Sequence, residues 1–221
     1  MIQRILVWDV PTRVFHWLLA LSFGGAFLTA ESERYRDIHV ALGYTLLGLI
    51  AFRLLWGFFG TRYAQFRSFL FKPGEVVAYL QALLKCKPAH YIGHNPVGSV
   101  AIWMLLTLGV SVGVSGVMLF QDIGGDALEE LHEFASNAML AVVLVHIAGV
   151  LVSSVIHREN LVRSMVTGYK SAKPDQGIRS SHAWLGAIML TAVVAFWTGY
   201  PVAGPTMPSA NPAHAEQRGD D

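Results

Sequence analysis

Apolar residues in this 221-residue chain gather into five long runs separated by polar segments. They extend over about Pro11–Thr29, Ile38–Phe59, Val97–Phe120, Phe134–Ile156 and Ala183–Val202. A helix rises ~1.5 Å per residue, so about 20 apolar residues span the hydrocarbon core of a bilayer. The pattern predicts five membrane-crossing helices. Helix-start signals support the first and third: Asp9 before Pro11, and Asn95 before Pro96, each pair a cap followed by a first-turn proline. Between the runs, residues 31–37 read as a polar hairpin and residues 60–95 as a loop with an interfacial helix from Gly74 to Leu84. Residues 121–131 form an acidic stretch. The expected division is a four-helix membrane domain over residues 1–170, a linker over 171–181, a further transmembrane helix over 182–202 and a disordered periplasmic tail over 203–221.

Composition agrees with a membrane protein. Hydrophobic residues make up 53% of the chain and charged residues only 14%, against about 25% charged in soluble domains. A net charge of +1 gives nucleic-acid binding no electrostatic support. The single cysteine, Cys86, excludes an intrachain disulfide and a cysteine-held iron–sulfur cluster. Asp9, Pro11 and Arg13 interrupt the first apolar run, which reads as a retained span rather than a cleavable signal.

Charge in the short loops sets an orientation. Arg4 and Arg13, then Arg62, Arg67, Lys72, Lys85 and Lys87, then Arg158, Arg163, Lys170 and Lys173 fall on one side. Asp122, Asp126, Glu129, Glu130 and Glu133 fall on the other, with no Lys or Arg among them. The positive-inside rule then places the N-terminus inside and the C-terminus outside.

Histidines supply the chemistry. His132 and His146 lie fourteen residues apart, about four helical turns, so they share a face ~21 Å apart along the axis. An imidazole inside a membrane helix is costly and points to function. Depth assigns partners: His16 with His146 near the inside, His39 with His132 near the outside. Each pair would hold one haem from both sides. No C-x-x-C-H motif is present, so both would be non-covalent haem b. Six-coordinate bis-histidine iron favours electron transfer over oxygen chemistry. Arg53 shares the face of His39 and reaches the depth of His16, where its charge would offset haem propionates. The bland alternative is that His16, His39 and His132 are polar residues at the interface; the joint pattern of two depths with complementary partners speaks for ligands. His157 reads as an interfacial residue at a helix C-terminus, or as a proton or quinone contact. His90, His94, His182 and His214 read as loop or end residues, not ligands. Gly24, Gly25 and Gly43 give clearance for haem or for a neighbouring helix, and Gly109, Gly113 and Gly116 permit close approach of a helix or a flat cofactor.

The stretch Trp8-Asp9-Val10-Pro11-Thr12-Arg13-Val14-Phe15-His16-Trp17 resembles the opening of bacterial cytochrome b561 family membrane subunits, a group that includes the b-type cytochrome subunits of nickel–iron hydrogenases. The likeness continues through His39-Val40-Ala41-Leu42-Gly43-Tyr44, Arg53-Leu54-Leu55-Trp56-Gly57, Gly93-His94-Asn95-Pro96-Val97-Gly98 and Leu131-His132-Glu133. It ends with His157-Arg158-Glu159-Asn160-Leu161-Val162-Arg163 and Thr167-Gly168-Tyr169-Lys170. It covers about residues 4–170. The resemblance implies an all-α integral membrane fold, with a four-helix bundle around two b haems. It also implies electron exchange between a periplasmic redox partner and membrane quinone. His16, His39, His132 and His146 match the family's ligand positions.

The function expected is a membrane dihaem cytochrome b, an electron-transfer subunit rather than a self-contained enzyme. Its partners would be quinone, membrane lipid and a periplasmic protein, either a c-type cytochrome or a hydrogenase-like small subunit. Arg13, His157, Arg158 and Asn160 are the candidates near the inner haem for contact with quinone. Two alternatives stand beside this reading: a superoxide:quinone oxidoreductase, as some family members resemble, and a haem-free membrane anchor or transporter.

Overall fold

The computed structural model describes residues 2–200, and within them the chain is mostly helical. The elements in order are β1 (Gln3–Leu6), α1 (Val10–Thr29), α2 (Arg36–Phe59), α3 (Pro73–Leu84), α4 (Pro96–Phe120), α5 (Gly125–Ile156), α6 (Leu161–Thr167), β2 (Tyr169–Ala172) and α7 (Ala183–Gly199). Both predicted caps are made. Asp9 Oδ1 accepts the Thr12 N–H at 2.8 Å, and Asn95 Oδ1 accepts the Gly98 N–H at 2.7 Å. Three helical segments are long and apolar enough to cross a membrane: Glu33–Phe59, Pro96–Phe120 and Gly125–Ile156. α1, with 20 residues, and α7, with 17, are the remaining long apolar helices. The tail expected over 203–221, with His214, lies outside the described residues.

The helices pack in series, α1 on α2, α2 on α4, α4 on α5, with α7 against α1. Glycine sets how close two of these pairs come. A side chain at Gly109 or Gly113 of α4 would strike Ile50 or Leu47 of α2, so these two glycines serve helix–helix contact. Gly25 of α1 likewise faces Leu42 of α2. Along most of its length α5 leans on α4 and shares no broad interface with α1 or α2. It meets them at mid-height, where buried Met139 joins Phe23, Leu46 and Ile50 in one apolar cluster. Met139 lies seven residues from both His132 and His146. Met139 therefore packs at a level between those of His132 and His146.

Two departures from expectation concern the ends. α5 begins at Gly125, not near Phe134, so most of the acidic stretch 121–131 is its first two turns. Nothing in Asp126–Glu133 breaks a helix, and acidic residues suit a helix N-terminus. The helix is about 48 Å long, more than the hydrocarbon core needs, and His132 sits about two turns inside it rather than ahead of it. The second departure is a two-stranded ribbon in a chain expected to be all-α. β1 pairs antiparallel with β2, Gln3 opposite Ala172 and Leu6 opposite Tyr169. The expected linker over 171–181 is thus partly strand, and it ends in a 3-10 turn at Pro174–Gln176. The ribbon covers Val7, Trp8 and Tyr63. It gathers the basic segments at one end of the bundle: Arg13 Nη1 donates to Val166 O at 2.6 Å and Lys170 Nζ to Ile92 O at 3.1 Å.

Candidate haem-binding site

His39 lies in the first turn of α2. Its Nδ1 is 2.8 Å from the Ala26 carbonyl near the end of α1. A carbonyl only accepts, so Nδ1 carries the proton and Nε2 is left as the free lone pair. His132 is held the same way. Its Nδ1 is 2.9 Å from Ser115 Oγ of α4, and that hydroxyl donates its own proton to the Ser111 carbonyl at 2.7 Å. Ser115 therefore accepts from His132, and Nε2 is again the free nitrogen. Gly116 makes room for this ring, since a Cβ there would come within 3.1 Å of His132 Cε1. The two ring centres stand 6.3 Å apart, with planes at 69°. An imidazole nitrogen binds a first-row metal at about 2.0–2.1 Å and lies about 1.1 Å from its ring centre. A linear N–metal–N axis then separates two ring centres by about 6.3 Å. The observed spacing matches an axial pair, and the outward hydrogen bonds are those expected of metal-binding histidines.

His16 of α1 and His146 of α5 form the second group. Both are half-buried. His16 rests edge-on against Trp17 at 5.0 Å, and its Nδ1 is sealed from solvent without a hydrogen-bond partner. Among the described residues these two rings do not make the ring-to-ring contact that His39 and His132 make. Arg53 of α2 points into the same region. It is only 4% exposed, and its guanidinium lies 5.0 Å from the Phe66 ring centre and 5.7 Å from that of Phe69.

A further buried histidine was read as a loop residue, although it lies in the family-like stretch Gly93–Gly98. His94 precedes α4 in a loop, yet its ring lies between Trp8 at 4.8 Å and Phe69 at 4.7 Å, with Nδ1 buried and unpaired. Burial, and after it the Arg53 charge, push its pKa down to about 3, so the ring is neutral. It couples also to His146 and His16. Trp8 and Phe69 are distant in sequence, so a local reading types His94 as an exposed loop residue.

The quinone-contact candidates separate on inspection. Arg13 is engaged with Val166, and Asn160 caps α6 by accepting the Arg163 N–H at 2.7 Å. Arg158 is exposed, at a φ of 52°. His157 caps α5 and lies 5.1 Å from the His90 ring. It borders a small polar cavity of about 30 Å³ with Tyr79, Ser153, Glu159 and Lys170. Glu159 accepts from Lys170 at 3.1 Å and from His90 at 3.2 Å. His182 packs edge-on to Trp56 at 5.4 Å, away from the two histidine groups.

These sites fit a macrocycle rather than a bare ion. Among the described residues no group of three or more His, Cys, Asp or Glu gathers as a metal cage. Two axial histidines suffice only when the cofactor brings its own equatorial donors. Gly24 and Gly43 also face open space: a methyl group at either position would meet nothing within 4 Å.

A family comparison decides the wider identity. Residues 7–168 match the model of the prokaryotic cytochrome b561 family. The chain belongs to that family. Relatives of this b561 cytochrome carry the name "Probable Ni/Fe-hydrogenase B-type cytochrome subunit". One from Azotobacter vinelandii is 26% identical, covering 78% of this chain and 90% of its own. One from Rhodobacter capsulatus is 23% identical, covering 78% and 83%. One from Escherichia coli K12 is 21% identical, covering 76% and 91%. No solved structure matches. Membership makes the chain a multi-pass membrane cytochrome of b type that carries haem b and works in electron transport. The family-like stretch Thr167–Lys170 of the cytochrome also gains a structural reason. Gly168, at a φ of 88°, ends α6, and its carbonyl accepts the N–H groups of Val7 and Trp8 at 2.8 and 3.0 Å.

Proposed function

We propose that this b561 cytochrome carries electrons between a periplasmic redox partner and membrane quinone through two bis-histidine b haems. His39 and His132 hold the outer one, His16 and His146 the inner one. α1, α2, α4 and α5 form the haem-holding bundle and α7 adds a fifth crossing. The observation that carries this reading is the 6.3 Å spacing of the His39 and His132 rings, each with its Nδ1 hydrogen-bonded outward. Haem, when bound, supplies a one-electron Fe(III)/Fe(II) couple; the protein positions it and tunes it. With haem bound, these imidazoles would be its protein ligands and would leave no open iron position, which suits electron transfer. Met139 and its cluster divide the two sites, which follow one another ~21 Å apart along α5.

The outer end of the bundle carries Asp122, Asp126, Glu129, Glu130 and Glu133. Such a surface attracts a basic periplasmic partner and speeds its encounter. The names of the relatives make a nickel–iron hydrogenase the partner to test first, with a c-type cytochrome beside it. The basic segments gathered at the other end support an orientation with that end in the cytoplasm of a bacterial inner membrane. His157, on its polar cavity, is the residue there best placed to exchange protons with quinone. The test is spectroscopic: the purified protein should contain two low-spin haems, and His39→Ala and His132→Ala should each remove the same one. A high-spin spectrum, or different haems lost from the two variants, would overturn the pairing.

A further inference from the structure

Around the cytoplasmic ends of α1 and α2, buried polar atoms stand without partners inside the chain: Thr12 Oγ1, Arg13 Nε, Arg53 Nη1 and His94 Nδ1. Arg53 is the most demanding of them. A guanidinium at 4% exposure needs an anion or a full set of acceptors. The nearest carboxylate, Asp9, is already committed. Its Oδ1 accepts from the Thr12 N–H, and its Oδ2 from Trp56 Nε1 at 3.1 Å and Thr61 Oγ1 at 2.5 Å. Asp9 makes no ion pair with Arg53 among the described residues. What Arg53 does touch is aromatic, the rings of Phe66 and Phe69.

Phe69 also carries His94 on its ring, so the two unpaired donors are brought to one place. One is charged and one is neutral. Arg53 and His94 thus meet over the Phe69 ring, and Arg53 lies on the histidine-bearing side of α2 one helix from His16. Two buried polar groups without partners in the chain, gathered on one aromatic ring, suit the acidic edge of a macrocycle.

We propose that Arg53 and His94 together anchor the propionate carboxylates of the inner haem, Arg53 through Nη1 and His94 through Nδ1. His94 is then a positioning residue, not an iron ligand. This rests on the dihaem reading and adds to it a role for a histidine outside both axial pairs. Trp8 and Phe69 hold the His94 ring in place, and Asp9, by clipping α1 to α2, fixes the backbone from which Arg53 projects. A propionate whose negative charge is left unpaired in a low-dielectric site stabilises the more positive iron. Removing either donor therefore favours Fe(III) and lowers the potential.

The experiment is a redox titration of the purified holoprotein, followed by absorbance, with haem content measured alongside. His16→Ala and His39→Ala identify the inner and outer components. Arg53→Gln and His94→Leu should each lower the inner component's reduction equilibrium about tenfold, ~59 mV for a one-electron couple. The outer component should stay where it was and both haems should remain low-spin. Arg53→Lys and His94→Gln, which keep a donor and the bulk, should recover most of the shift and serve if the first pair fails to fold. Unchanged inner potentials at full haem content in the Arg53 and His94 variants would overturn the proposal. So would loss of the inner low-spin signal in both His94 variants, which would make His94 a ligand. Wild-type protein with a single haem that is lost in His39→Ala but kept in His16→Ala would instead remove the inner site itself, and the proposal with it.

Discussion

The carboxylate of Asp9 accepts the indole N–H of Trp56 at 3.1 Å, joining the start of α1 to the last turn of α2. The same carboxylate caps α1 through Thr12 and accepts the Thr61 hydroxyl. Asp9 is fully buried, so each partner it loses is left unsatisfied away from water. Asp9→Ala should cost about 2–4 kcal/mol, combining a lost cap with stranded donors. Asp9→Asn should cost less, because the amide oxygen still accepts. Thermal unfolding in detergent measures both; equal melting temperatures for Asp9→Ala and wild type would refute the clip.

Ser115 does for His132 what a backbone carbonyl does for His39. Its oxygen accepts the Nδ1–H hydrogen bond and so leaves Nε2 as the free lone pair. Outer partners of metal-binding histidines typically affect metal affinity by about 10–100-fold. Ser115→Ala should therefore weaken the outer haem by about that factor and leave the inner one alone. Ser115→Thr should restore it if the added methyl is accommodated. Haem transfer to apomyoglobin gives the rates, and equal loss of both haems would contradict a local role.

The approach of His39 to His132 was legible because both lie on helices whose depth follows from counting. Their positions come from the span boundaries, and even an error of two turns in the start of α5 leaves the two rings at one level. The inner end was less legible. The placing of His16, His146 and Arg53 follows from periodicity, whereas His94 reaches the interior through Trp8 and Phe69, contacts distant in sequence. The β1–β2 ribbon was hidden for the same reason. Each strand is four residues long, and its partner lies more than 160 residues away. The expected reading of Gly109 and Gly113 left helix and cofactor open; the side chains of Ile50 and Leu47 settle it for the helix.

α7 is bound by specific contacts, yet none of those named here involves His16, His39, His132 or His146. Trp197 Nε1 donates to Thr45 Oγ1 of α2 at 2.9 Å, Met189 packs with Phe15, Leu18 and Leu49, and Val10 N–H donates to Ser181 O at 2.9 Å. Deleting residues 180–221 should leave two haems bound while lowering the melting temperature. Trp197→Phe alone should cost about 1 kcal/mol, the worth of a typical hydrogen bond. Haem-to-protein ratio and melting temperature read the two effects separately, and loss of either haem on deletion would make α7 part of the haem core.

Acid should destabilise the haem-free protein through His94. Its pKa is depressed to about 3 in the fold, by burial and then by Arg53, against an ordinary value of 6.5. Between those limits the unfolded chain holds a proton that the folded chain refuses, so stability rises with pH across that window and falls on acidification from about 6.5 toward 3. His94→Gln removes the group and should flatten this part of the dependence. Melting temperatures of haem-depleted protein at pH 7 and pH 5 provide the check. The wild type should lose more on the acid side than His94→Gln, and parallel losses in the two proteins would show that other groups carry the acid sensitivity.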